Sequence, residues 1–190
     1  MFSRRTFVSS ALAAAVIGPV AANAQGYVVP PQHMPVYVNL TNANGWPPNE
    51  LHLDPNTFHL YLTMPEGRAI RYSVGIGRPG LYEPGEFTVG AKKKWPAWTP
   101  TPEMIQRNPA SYKQYEDGVP GGPDNPLGAR ALYLFKPQIG DTMLRIHGTG
   151  LPQTIGTRVS NGCARLINSH IVDLYERVPM GTRVVLYDVA

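Results

Sequence analysis

Phe58-His59-Leu60-Tyr61-Leu62-Thr63, then Pro65-Glu66-Gly67, then Ala69-Ile70-Arg71-Tyr72-Ser73-Val74-Gly75-Ile76 is the stretch that sets the fold class. Phe58, Leu60 and Leu62 alternate with His59, Tyr61 and Thr63. Ile70, Tyr72, Val74 and Ile76 repeat that spacing. A period of two puts one set of side chains on a buried sheet face and the other outside. With a turn between them, the two runs predict a β-hairpin. His59 is expected on the solvent side.

The same grammar continues in both directions. Leu51-His52-Leu53 precedes the turn Asp54-Pro55-Asn56. After a Gly- and Pro-rich loop over 77–86, Phe87-Thr88-Val89 resumes a strand. Ala131 to Phe135, Thr142 to Ile146 and Arg183 to Val189 are further β-prone runs. Ile171, Leu174, Tyr175 and Val178 fall at i, i+3, i+4, i+7 and predict one amphipathic helix, with Asn168 or Ser169 as its cap and Pro179 and Gly181 ending it. Residues 95–130 form a long turn-rich excursion. Within it Thr101 can cap a short helix that has Pro102 at its first position and stops at Asn108-Pro109. A loop of that length in a compact domain is read as a flap lining the substrate site, the alternative being a floppy insertion. The expectation is a mainly β fold whose sheets cover each other, flanked by one helix.

Composition narrows the function classes. The 190 residues are 43% hydrophobic and only 16% charged, which excludes a disordered polyelectrolyte or a coiled coil. Glycine (19) and proline (20) argue against a helix bundle. A single cysteine excludes an internal disulfide framework and Cys-rich metal sites. Arg4-Arg5, the apolar run Val8–Ala22 and Ala22-Asn23-Ala24 read as an export signal over 1–24. Ser3-Arg4-Arg5-Thr6-Phe7 resembles a twin-arginine signal, and the general secretory route stays open beside it. The run is too short and weak to span a membrane. Removing Arg4 and Arg5 lowers the net charge from +4 to +2, so the mature chain is only mildly basic. No stripe of cations interleaved with aromatics marks a nucleic-acid partner. Lys92-Lys93-Lys94 is a solvated strand end or a weak attraction for an anionic polymer. Residues 25–48, rich in Pro and Asn, read as an extended lead-in, partly mobile.

The chemistry is concentrated in Arg145-Ile146-His147-Gly148-Thr149, a spacer, and Ser160-Asn161-Gly162-Cys163-Ala164-Arg165-Leu166. An unpaired cysteine in an oxidising compartment is either a buried hydrophobe or a retained nucleophile. Gly162 lets backbone approach a substrate closely, and a bend there can aim N–H groups at an oxyanion. A cationic partner or a helix start would lower the thiol pKa. A Cys–His pair separated by a loop suits acyl transfer, the imidazole taking the thiol proton and returning it to a leaving amine.

The string Ile-His-Gly-Thr, spacer, Ser-x-Gly-Cys-x-Arg closely resembles the signature of the L,D-transpeptidase (YkuD) catalytic domain, of the ErfK/YbiS type. Lys94-Trp95-Pro96-Ala97-Trp98-Thr99-Pro100, the stretch from Pro120 to Leu132 and the stretch from Asp173 to Pro179 extend the resemblance. It assigns 49–188 to that catalytic domain, with a YkuD-like β-sandwich of mixed sheets, one flanking helix and a long active-site loop. It implies Cys163 as nucleophile, His147 as base and the Gly148 carbonyl as orienter of the imidazole. Gly162 and Cys163 are the implied oxyanion-hole amides. Arg165, Ser160 and Asn161 are the implied substrate contacts, Arg165 either holding a substrate carboxylate or closing a structural ion pair. Many members have a histidine where this chain has Asn161, so no second histidine role carries over. His33, His52, His59 and His170 match no catalytic position.

The implied reaction is peptidoglycan acyl transfer. Cys163 attacks the third residue of a tetrapeptide stem, expels D-alanine, and passes the acyl group to an amine to give a 3→3 cross-link. An outer-membrane protein lysine, a free D-amino acid or water are other implied acceptors. No metal and no organic cofactor is implied, and the implied location is the periplasm. An L,D-carboxypeptidase, a non-catalytic peptidoglycan-binding module and a structural secreted β-domain with a buried cysteine are the alternatives.

Overall fold

The computed structural model describes residues 27–40 and 46–190. The expected export signal therefore lies outside the described residues. Along the chain run β1 (Val36–Asn39), β2 (Leu51–Asp54), β3 (His59–Met64), β4 (Arg68–Ser73), β5 (Ile76–Gly77) and β6 (Gly85–Lys94). The excursion holds α1 (Pro102–Arg107) and α2 (Pro109–Tyr112). Then follow β7 (Arg130–Lys136), β8 (Gly140–His147), β9 (Arg158–Ser160), β10 (Ala164–Arg165), α3 (Asn168–Arg177) and β11 (Arg183–Leu186).

Among the described residues nine strands make one sheet in the order β1-β4-β3-β2-β11-β6-β7-β8-β10, and β5 pairs with β9 in a second, smaller one. The sheet is mixed: β11 runs parallel to β2 and β10 parallel to β8, while the remaining pairs are antiparallel. The hairpin read from 58–76 is β3 with β4, in the register Leu60↔Tyr72 and Leu62↔Ile70. Their alternating residues enter one core with Leu51, Phe87, Leu132, Ile146, Val184 and the α3 residues Ile171 and Leu174. Every strand of that sheet except β1 contributes to this core, so the sheet curls around it. The curl nearly closes: beyond β4, Gly75 exchanges backbone hydrogen bonds of 2.9 and 2.8 Å with Arg165 of β10. The mainly β, mixed-sheet expectation holds, with mutual covering achieved largely by one curled sheet.

Several local expectations change. The stretch read as a lead-in contributes β1, which pairs antiparallel with β4 at the sheet edge. Asn168 does not cap α3: Ile167 is the cap residue, without a side-chain bond. The Asn168 Oδ1 instead accepts from the Ala129 N–H at 3.0 Å. His59 is only half exposed, and burial pushes its imidazole down to about 4. In the lysine cluster Lys93 and Lys94 are exposed at the end of β6, as the solvated-end reading expects, and Lys92 departs from it. Lys92 Nζ donates to the Tyr175 and Val178 carbonyls at 2.6 Å each, closing the C-terminus of α3. Lys93 lies over the Tyr133 ring, and Lys94 reaches Glu176 at 4.0 Å.

The excursion is an ordered flap. Thr101 caps α1 as read, accepting from the Met104 N–H at 3.3 Å. Asn108 ends α1 and also starts α2, its side chain accepting from the Ser111 N–H. Trp98 and Val119 exchange backbone hydrogen bonds across the base of the flap. Buried Asn125 ties Val119, Pro120 and Leu127 together.

Candidate active site

Strand pairing assembles the site. In the parallel β8–β10 ladder, Ala164 lies beside Ile146 and Arg165 beside His147. Ala164 and Ile146 point into the core. Alternation then sends Arg145 and His147 on β8, and Cys163 and Arg165 at β10, to the opposite face. The sulfur lies 3.9 Å from the Met143 carbonyl, and the Arg145 backbone N–H faces it.

His147 is buried, and its Nδ1 lies 2.6 Å from the Gly148 carbonyl oxygen. A carbonyl only accepts, so Nδ1 carries the proton and Nε2 keeps the lone pair. Gly148 is constrained by close approach: a Cβ there would run into the Asn168 amide oxygen and lie 3.1 Å from the Ala129 nitrogen. Asn168 thereby positions the segment that orients the imidazole.

The Ser160–Cys163 turn is braced from within. The Ser160 hydroxyl donates to the Cys163 carbonyl at 2.6 Å and accepts from the Gly162 N–H at 3.2 Å. Gly162 sits at φ +126°, and a Cβ would meet the Leu81 carbonyl at 3.0 Å. Only glycine fits both constraints. The Gly162 amide, expected in the oxyanion hole, is engaged inside the turn. The Cys163 amide makes no hydrogen bond among the described residues and is the one left to face an oxyanion.

Burial dominates the electrostatics. It pushes the Cys163 thiol up, against the Arg145 N–H and the guanidiniums of Arg145 and Arg165. The expected lowering by cationic neighbours is thus reversed. Burial also lowers His147 to about 4, against the carbonyls of Gly148 and Leu127. Thiol and imidazole are both neutral near pH 7. Arg145 is spoken for: it makes a bidentate pair with Asp141 at 2.6 and 2.8 Å and stacks on Tyr133. Arg165 donates to Thr154 Oγ1 at 2.9 Å and forms no ion pair among the described residues.

Asn161 ties the cysteine turn to Arg78 and to the flap. Its Oδ1 accepts from Arg78 Nη2 at 2.6 Å and Arg107 Nη2 at 3.1 Å, and its Nδ2 donates to the Tyr112 hydroxyl at 2.7 Å. Sequence reading missed Arg78, Arg107, Tyr112 and Asn168. Asn161 and Arg107 lie 54 positions apart, and no local pattern signals such a pairing. No group of three or more His, Cys, Asp or Glu able to hold a metal exists among the described residues.

Comparison with known proteins places this geometry. YbiS, a probable L,D-transpeptidase of Escherichia coli K12, is 44% identical over 117 residues, covering 60% of this chain. The match spans 36% of the length of YbiS. A Brucella melitensis crystal structure described as a probable carnitine operon oxidoreductase is 46% identical, with a TM-score of 0.56, covering 84% of this chain and 96% of its own. Its description names a different chemistry from that of the family and of YbiS. An Enterococcus faecium L,D-transpeptidase shares the fold at 18% identity and a TM-score of 0.56, covering 74% of this chain and 50% of its own. The family model for the YkuD L,D-transpeptidase catalytic domain matches residues 48–186. That span takes in every strand from β2 to β11 together with Cys163 and His147, and the chain belongs to this family.

Proposed function

We propose that this protein is an exported, periplasmic L,D-transpeptidase acting on peptidoglycan stem peptides, with Cys163 as nucleophile and His147 as base. The observation that carries the reading is the Nδ1–Gly148 bond, which puts the proton on Nδ1 and the lone pair on Nε2, on the sheet face that also presents Cys163. Cys163 Sγ attacks the carbonyl carbon of the third stem residue while its proton passes to Nε2. The Cys163 N–H supports the oxyanion. Collapse breaks the C–N bond, Nε2 returns the proton, and D-alanine leaves as the amine. A second amine then attacks the thioester and releases the thiol. Arg165, half-buried beside Cys163 and free of ion pairs among the described residues, suits a stem carboxylate.

Chromatography of the products formed from purified tetrapeptide muropeptides tests this reading. The expected products are 3→3 dimers and free D-alanine. Tripeptide alone would mean that water is the acceptor and the enzyme a carboxypeptidase. Binding without turnover would leave only a wall-binding module.

A further inference from the structure

Two guanidiniums converge on one neutral oxygen beside the Ser160–Cys163 turn. Arg78 is anchored to that turn by its backbone N–H, which donates to the Ser160 carbonyl at 3.1 Å. Its Nη2 donates to Asn161 Oδ1, and its buried Nε makes no hydrogen bond. Arg107, at the last position of α1, reaches the same Oδ1 from the flap. Neither arginine forms an ion pair among the described residues. Glu103, one helical turn before Arg107, feels its charge but bonds to the α1 N-terminus. Two like charges on an amide oxygen repel, and an amide offers only partial charge in return. A carboxylate supplies two full acceptors in the planar geometry a guanidinium matches.

We propose that Arg78 and Arg107, aligned by Asn161, form a carboxylate-binding subsite that recognises an anionic group of the donor peptide next to Cys163. The subsite rests on the stem-peptide reading above. The incoming carboxylate takes the place of Asn161 Oδ1 and joins the guanidinium of the loop between β5 and β6 to one of the flap. Substrate recognition and flap position thereby become one event. A tetrapeptide stem offers this chemistry from two sources, the terminal D-alanine and the side-chain carboxylate of a third-position diaminopimelate.

The test is calorimetric binding to the full chain carrying Cys163→Ala, which cannot be acylated. Three tetrapeptides are compared: unmodified, with a C-terminal carboxamide, and with a side-chain carboxamide on the third residue. One amidation is expected to weaken binding at least tenfold and so to name the source. Adding Arg78→Gln and Arg107→Gln should abolish that discrimination, with folding checked by thermal melting. Adding Arg78→Lys and Arg107→Lys instead keeps the charges and should retain part of it. Discrimination unchanged in the Gln pair, or absent in a parent that binds the unmodified peptide, overturns the subsite alone. If the glutamines prevent folding, a lysine pair that discriminates as strongly as the parent overturns it, because a single point charge cannot replace the bidentate fork. A parent that binds none of the three peptides overturns the stem-peptide reading, and the subsite falls with it.

Discussion

His147 keeps its proton on Nδ1 because the group bonded there, the Gly148 carbonyl, can only accept. Its burial lowers the pKa to about 4, so the imidazole remains a base well below its ordinary 6.5. The thiol beside it is raised by the same cause. The acid limb of kcat/KM should therefore lie near pH 4, with activity held between pH 7 and 5. A limb centred on 6.5 in the pH–rate profile would refute the buried neutral pair. His147→Gln should lower kcat by about 10²–10⁴-fold. Both residues were legible in the sequence, because Cys163 is unique and the motif around it is contiguous. The sign of the thiol shift was not legible: the strand pairing that partly buries Cys163 also brings it beside Arg145 and Arg165, and desolvation outweighs both charges.

Elements bring these residues to their places, and two buttresses stand out. Lys92 closes α3 with two hydrogen bonds and lies 4.2 Å from the centre of the Tyr175 ring. Lys92→Ala should cost about 1–3 kcal/mol of unfolding free energy, measured by denaturant titration. A change within 0.3 kcal/mol would show that water replaces the lysine without loss. Asn168 links α3 to Ala129 and packs against Gly148. Asn168→Ala should lower kcat more than it raises KM, because it loosens the carbonyl that orients His147. Asn168→Asp, which keeps an acceptor, should restore part of the rate. Long alternating strands were legible because each repeats its period several times. β1 was not: Val36 and Val38 are its only apolar pair, and its partner β4 lies some 30 positions on. β9 and β10 have three and two residues, too few to show any period. Asn168 carries a capping side chain by type, yet the Ala129 N–H takes its oxygen.

Across the whole molecule the fold holds three buried histidines and the half-exposed His59 in neutral form. His52, His59, His147 and His170 are each held near 4, with burial as the largest cause. An unfolded chain binds more protons than this fold between pH 6.5 and 4. Stability is complete above 6.5 and is lost as the pH falls towards 4, at up to about 1.4 kcal/mol per pH unit for each fully buried imidazole. Tm should fall steeply between pH 6.5 and 4.5. A flat Tm over that range would show that these rings titrate normally. The curl itself was only partly legible, because closure depends on Gly75 meeting Arg165 across 90 positions. That closure also sets Arg165 beside the thiol. Acylation of Cys163 by a stem peptide is the step on which the transpeptidase reading depends. Intact-mass measurement of the folded protein, incubated with a tetrapeptide-stem muropeptide, should show an adduct equal to the muropeptide minus D-alanine. The adduct should map to Cys163 and be absent in Cys163→Ala, whose Tm should match the parent within about 2 °C. An unmodified mass in folded protein with a free thiol would contradict the account.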